Sequence, residues 1–201
     1  MFVLALDTTG PHCSVALARG EQILAHISEP MRRGQVERLA PMVMEAMAQA
    51  GVSADQIDRL AVCTGPGSFT GLRVALSYAK GFALPRRLPV VGVDALEITA
   101  RDIFVTDGEA RLVVMRDIRR SEVMACTYEH GLSTREIGVM SEEDAISLAS
   151  DLDAPIVESI EADMSVLATY AATLDPADYP AVPLYARAPD AKLPGGASLP
   201  A

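Results

Sequence analysis

The 201-residue sequence predicts an α/β protein of two tandem lobes, each a mixed sheet with flanking helices, the second lobe reduced. Three observations carry this. Short apolar runs alternate with stretches of helical period from residue 35 onward. A strand-like run ending in an acid occurs twice, Val3–Leu6 into Asp7 and Leu112–Met115 into Asp117. Each acid also precedes a turn glycine at a similar distance, 13 residues to Gly20 and 14 to Gly131.

The elements follow in order. Phe2–Leu6 is an apolar strand ending at Asp7-Thr8-Thr9-Gly10, a turn of acid, hydroxyls and glycine. Cys13–Ala18 and Gln22–His26, parted by Arg19-Gly20-Glu21, complete an antiparallel meander. Over Gln35–Ala50, Val36, Leu39, Ala40, Val43, Met44 and Met47 recur at helical spacing, and Gly51 ends the helix. Pro41 is expected to kink or split it. Ser53 and Asp55 cap a short turn before a strand at Leu60–Cys63. The glycine-rich string Gly65–Arg73 then opens a helix reaching about Leu84. Pro85 and Pro89 break the chain before a buried strand, Val90–Val93, and a helix over Ala95–Arg101.

The second half repeats the pattern. Strands are expected at Leu112–Met115, Glu122–Tyr128 and Arg135–Val139, then a helix from Ser141 through Ser150. Ser141 is its N-cap, and three acids favour its first turn. A strand at Pro155–Glu158 and a helix over Glu161–Leu174 complete the order. The expected division is a first lobe over residues 1–103, a smaller one over 104–190 and a flexible tail over 191–201.

Composition excludes several classes. Half the residues are apolar, enough for a real core, and no apolar run approaches the roughly 20 residues that span a bilayer. The N-terminus lacks the basic region of a signal peptide. Cys13, Cys63 and Cys126 are scattered through apolar runs, as expected of reduced core thiols in a cytoplasmic protein. A net charge of −10 argues against direct nucleic-acid binding, because a phosphate-tracking surface needs a broad basic stripe.

Gly65–Arg73 is the most informative string. A strand, a glycine-rich bend and a helix start can hold an anion at a helix N-terminus. The Gly-Lys-[Ser/Thr] ending of a Walker A motif is missing, so phosphate binding would fall to backbone amides and Ser68 or Thr70. The alternative, which we prefer, is that Ser68 or Thr70 caps the helix while the glycines permit tight packing. Candidate nucleotide or phosphate contacts are Asp7, Thr8, Gly65, Gly67, Ser68 and Asp117. Asp7 and Asp117 could face one another around Mg²⁺ and water, or cap their own turns, which is the preferred reading. The three histidines show no HxxxH spacing, so no catalytic metal is expected.

A strand–Asp–Thr–Thr–Gly hairpin with a degraded copy at Asp117 resembles the actin-like ATPase superfamily, with its paired ribonuclease-H-like lobes. Within it, the Gly65–Arg73 string is similar to the TsaB family of tRNA threonylcarbamoyladenosine biosynthesis proteins. Supporting matches are Leu6-Asp7-Thr8-Thr9, Cys13-Ser14-Val15-Ala16-Leu17, Leu39-Ala40-Pro41-Met42-Val43, Val91-Gly92-Val93, Asp117–Val123 and Pro183-Leu184-Tyr185-Ala186-Arg187. Ser121 stands where the family usually has Gly, and the second half is short.

The resemblance implies a non-catalytic subunit, with no cofactor of its own and ATP or ADP only at the complex. Such a subunit binds and activates a TsaD-like enzyme that modifies adenosine 37 of ANN-decoding tRNAs. A TsaE-like ATPase joins the complex, tRNA is met only indirectly, and a homodimer forms when the chain is alone. The implied interface lies on the first-lobe helices, at Gln35, Leu39, Met42, Val43, Met47, Leu72, Leu76 and Ala79. The rival reading is a standalone actin-like phosphotransferase or ATPase, or a metalloprotease-like enzyme. Either would need a phosphate-gripping lysine or a metal cluster, and neither is visible.

Overall fold

The computed structural model describes residues 1–108, 111–134 and 136–186. The expected tail over 191–201 lies outside them, as does Arg187 of the near-terminal motif.

The first sheet has the order β3-β2-β1-β4-β5. Strands β1 (Phe2–Asp7), β2 (His12–Arg19) and β3 (Gln22–Pro30) form the antiparallel meander. Strands β4 (Arg59–Cys63) and β5 (Val90–Val93) run parallel to β1, joined by the helix the glycine string opens. Strand β1 is buried on both faces, so it reads as a continuous apolar run. One face carries Leu4, Leu6, Val15, Leu17, Leu60 and Val62 against α1 (Gln35–Ala50) and α2 (Phe69–Ala83). The other carries small residues, Ala5, Ala16, Ala18 and Ala61, on which α5 (Met164–Tyr170) packs through Met164, Leu167 and Ala168.

The second sheet has the order β10-β6-β7-β8, with β9 also pairing β7. Strands β6 (Arg111–Asp117) and β7 (Glu122–Glu129) are antiparallel, and β10 (Ile156–Glu158) runs parallel to β6. Among the described residues it has no counterpart of β5, which makes it the reduced copy. Helix α3 (Ala95–Asp107) packs on one face through Leu96 and Ala100, and α4 (Glu142–Asp151) covers the other through Ala145 and Ala149.

Three expectations change. Helix α1 runs unbroken through Pro41, which sits on its exposed side. The carbonyl that Pro41 leaves without a donor can bond water there, while Leu39, Met42, Val43 and Ala46 anchor the opposite side. The third strand expected at Arg135–Val139 is two short pieces, β8 (Leu132–Ser133) and β9 (Gly138–Ser141), and Arg135 itself lies outside the described residues. The last helix starts at Met164 rather than Glu161, because the Asp163 side chain caps it by accepting from the Ser165 amide.

The expected cut after residue 103 falls inside α3. Helix α5, from the second half, lies on the first sheet, and Arg59 Nη1 donates to the carbonyls of Ala171 and Leu174 just beyond it. The two halves are therefore interlaced at α3 and α5.

Candidate functional site

The glycine string is a packing junction. Gly65 sits at φ +101°, and its carbonyl accepts from the Ala95 amide at the start of α3 (2.6 Å). A side-chain carbon on Gly67 would fall 2.5 Å from the Thr9 carbonyl oxygen, and one on Gly71 only 1.8 Å from that of Thr8. The turn after β1 thus lies directly against the first turn of α2, where only glycine fits. Thr8 Oγ1 donates to the Gly71 carbonyl (2.6 Å), and the Ser68 amide donates to the Thr9 carbonyl (2.9 Å). Ser68 Oγ caps α2 by accepting from the Gly71 amide (3.2 Å). The helix N-terminus is thereby partly capped by its own chain.

The two acids form the same local turn. Asp7 Oδ1 accepts from the Thr9 amide (2.7 Å), and Asp117 Oδ1 accepts from the Arg119 amide (2.6 Å). Their surroundings differ. Asp7 is buried, and loss of hydration raises its pKa, with the Thr9 hydrogen bonds and the nearby Arg116 charge opposing. Asp117 is exposed and lines a small pocket with Met115, Val123, Glu142 and Glu158.

The turn-capping reading preferred for both acids is the one the hydrogen bonds show, and the pleat disfavours the facing-carboxylate alternative. Alternate residues of β6 point to opposite faces, so Leu112, Val114 and Arg116 share the α3 side while Met115 and Asp117 take the other. Arg116, only 9% exposed, is the residue brought towards Asp7. It was not among the residues read from the sequence, and its only signal there was a cation beside an apolar run.

The expected interface residues divide. Leu39, Met42, Val43, Leu72, Leu76 and Ala79 are buried in the chain's own core, while Gln35 and Met47 are half-buried. Those six cannot form an exposed docking surface. On α1 the periodic set read from the sequence mixes buried Leu39 and Val43 with exposed Val36 and Met44, and Met42 lies with the buried residues that meet the sheet. The outward faces carry other residues: Val36 and Met44 on α1, 64% and 67% exposed, and Leu84 just after α2, 75% exposed.

The outward face of α2 also has a charge of its own. Between Asp58 and Asp94 there is no acid, only five cations, in a chain of net charge −10. Arg73, Ser77, Lys80 and Leu84 lie along one side at four- and three-residue steps, all exposed. Arg73 stacks over the Phe69 ring (3.8 Å), which packs on the Tyr185 ring (centroids 5.0 Å apart). Its guanidinium is thus held in place, with Nε donating to the Tyr185 hydroxyl (3.4 Å).

Each histidine has a structural partner. His12 Nδ1 lies 3.0 Å from Glu161 Oε2, His26 Nδ1 lies 3.0 Å from Ser165 Oγ, and His130 packs edge-on against Phe104. Among the described residues, no cluster of His, Cys, Asp or Glu could hold a metal ion, and no helix is long and apolar enough to cross a membrane.

Two interlaced lobes, each opening on a strand–acid–turn hairpin, with a glycine junction at the second helix, define an actin-like protein of the ribonuclease-H-like class. A family described as "TsaD: tRNA N6-adenosine threonylcarbamoyltransferase" matches residues 22–184. The chain belongs to this family. It is 37% identical over 129 residues to the tRNA threonylcarbamoyladenosine biosynthesis protein TsaB of Escherichia coli (strain K12), covering 64% of this chain and 55% of that protein. To TsaB of Haemophilus influenzae it is 41% identical over 122 residues, covering 60% and 51%. The matched stretch thus spans about half the length of these curated relatives. A solved structure of YeaZ from Pseudomonas aeruginosa superposes with a TM-score of 0.74 at 26% identity, covering 92% of this chain and 99% of that one.

Proposed function

We propose that the chain is a cytoplasmic, non-catalytic subunit in the synthesis of threonylcarbamoyladenosine in tRNA, binding and activating a TsaD-like enzyme. Similarity to the two TsaB proteins carries the pathway assignment. The non-catalytic role is supported by the loop chemistry, since the Ser68 amide is engaged by the Thr9 carbonyl and the Ser68 hydroxyl by the Gly71 amide of its own helix. The docking surface is the outward side of α1 and α2, with Val36, Met44, Phe69, Arg73, Lys80 and Leu84 at its centre. It combines exposed apolar side chains with the acid-free, cationic side of α2. A TsaE-like ATPase joins this complex, and the same face pairs two copies when the enzyme is absent.

The test is reconstituted modification of tRNA with and without the chain, scored by the mass of the modified adenosine, beside co-purification with the enzyme. Met44→Glu with Leu84→Glu should leave folding intact and abolish both co-purification and stimulation. Full binding by that folded double variant refutes the surface. Substitution at Val43 would instead place a carboxylate in the core.

A further inference from the structure

We propose that Arg116 is a latch between the two halves: its guanidinium, seated beneath Gly10 and facing Asp7 through a bridging water, holds the second sheet against the β1–β2 turn of the first.

The latch is built from four features. Arg116 comes from β6, yet its tip lies in the other lobe's turn: a carbon added at Gly10 would sit 3.3 Å from Arg116 Nη2 and 3.8 Å from Asp7 Oδ2. Nη1 is shielded from solvent and has no hydrogen-bond partner among the described residues. Asp7 Oδ1 is committed to the Thr9 amide, while the pair lies beyond direct ion-pair distance. The Ile160 carbonyl oxygen borders the same space, 3.6 Å from the carbon that Gly10 lacks.

The identity of the bridge follows from these charges. A bare anion would meet the Asp7 carboxyl and the Ile160 carbonyl, and a cation would meet the guanidinium. Water has the donors and acceptors to serve all three, donating to the oxygens and accepting from a guanidinium N–H. An unsatisfied buried guanidinium nitrogen is costly, so filling this space favours the closed arrangement. The seam continues from the same loop: Glu161 beside Ile160 reaches His12 on β2 (3.0 Å) and accepts from Ser28 Oγ on β3 (2.8 Å).

The chain carries its own reporters. The Cys63 sulfur lies 3.6 Å from Thr9 Oγ1 beside Asp7, whereas Cys126 lies in the core between the second sheet and α3. Both are buried. Opening the latch should expose Cys63 alone, and global unfolding exposes every cysteine.

The experiment is native-state alkylation of the full chain with iodoacetamide, with each cysteine followed by peptide mass spectrometry. Arg116→Met should speed labelling of Cys63 about tenfold and leave Cys126 within about twofold of wild type. Asp7→Asn, which can keep the Thr9 hydrogen bond, should act alike, and the double variant should be no faster than Arg116→Met alone. Equal acceleration of both cysteines, no acceleration, or additive effects in the double variant would each overturn the latch. This outcome does not depend on the partner enzyme, so it stands or falls apart from the proposed function.

Discussion

Gly71 gives the sharpest test of the glycine string as a packing junction. In Gly71→Ala the new methyl would lie 1.8 Å from the Thr8 carbonyl oxygen and 2.8 Å from its carbon, both backbone atoms. A flexible side chain could swing aside; here the β1 turn or the start of α2 must move. That movement also loosens the 2.6 Å bond from Thr8 Oγ1 to the Gly71 carbonyl. Overpacking of a close-fitted site costs about 1–3 kcal/mol and a buried hydrogen bond about 1 kcal/mol. Their sum, about 2–4 kcal/mol, exceeds the gain of about 1 kcal/mol from Ala over Gly in a helix. The net expectation is a loss of about 1–3 kcal/mol, or a fall in Tm of about 3–10 °C for a chain of this size. Gly81 on the same helix is the control. Nothing lies within 4 Å of a carbon added there, so Gly81→Ala should gain up to about 1 kcal/mol. Urea and thermal unfolding of both variants measure the difference. Equal stability of the two alanine variants would refute the junction, since helix propensity alone would then account for both.

Two further predictions concern other positions. Arg119, Arg120 and Ser121 occupy three consecutive left-handed positions, with φ of 70°, 61° and 60°. Relief of that strain in Ser121→Gly should raise stability by about 1 kcal/mol, read by urea unfolding. Burial pushes the Asp94 carboxyl up to about 6 from 3.8, although it caps α3 by accepting from the Leu96 and Glu97 amides. Its folded pKa is the higher one, so its contribution is fully present below about pH 4 and declines as pH rises through 6. That loss is about 3 kcal/mol. Asp94→Asn should keep the cap and flatten the stability profile over this window; an unchanged slope would contradict the assignment.

Much of the fold was legible because it rests on local rules. The bounds of α1 at Gln35 and Ala50 and of β5 at Val90 and Val93 agree with the apolar period and the flanking glycine and prolines. The turn acids at Asp7 and Asp117 cap their own turns, as the short spacing to the next amides favours. Most of the expected interface residues are buried for a definite reason. Period 3.6 groups Leu39, Met42 and Val43 on one face, but it does not say whether a sheet or a partner lies opposite. Arg116 and Asp117 show the same limit in a strand, where neighbours point to opposite sides and only packing tells which side is inward.

The sequence by itself determined the order of elements, the duplicated hairpin and the family mark at Gly65–Arg73, because these are written in spacings of a few residues. Tertiary structure alone decided what the glycines touch, which helix faces remain outward, and that α5 crosses back onto the first sheet. It also decided that a cation rather than a second carboxylate meets Asp7. Each of these depends on atoms brought together from positions tens of residues apart, where chain spacing carries no information and burial and excluded volume settle the arrangement.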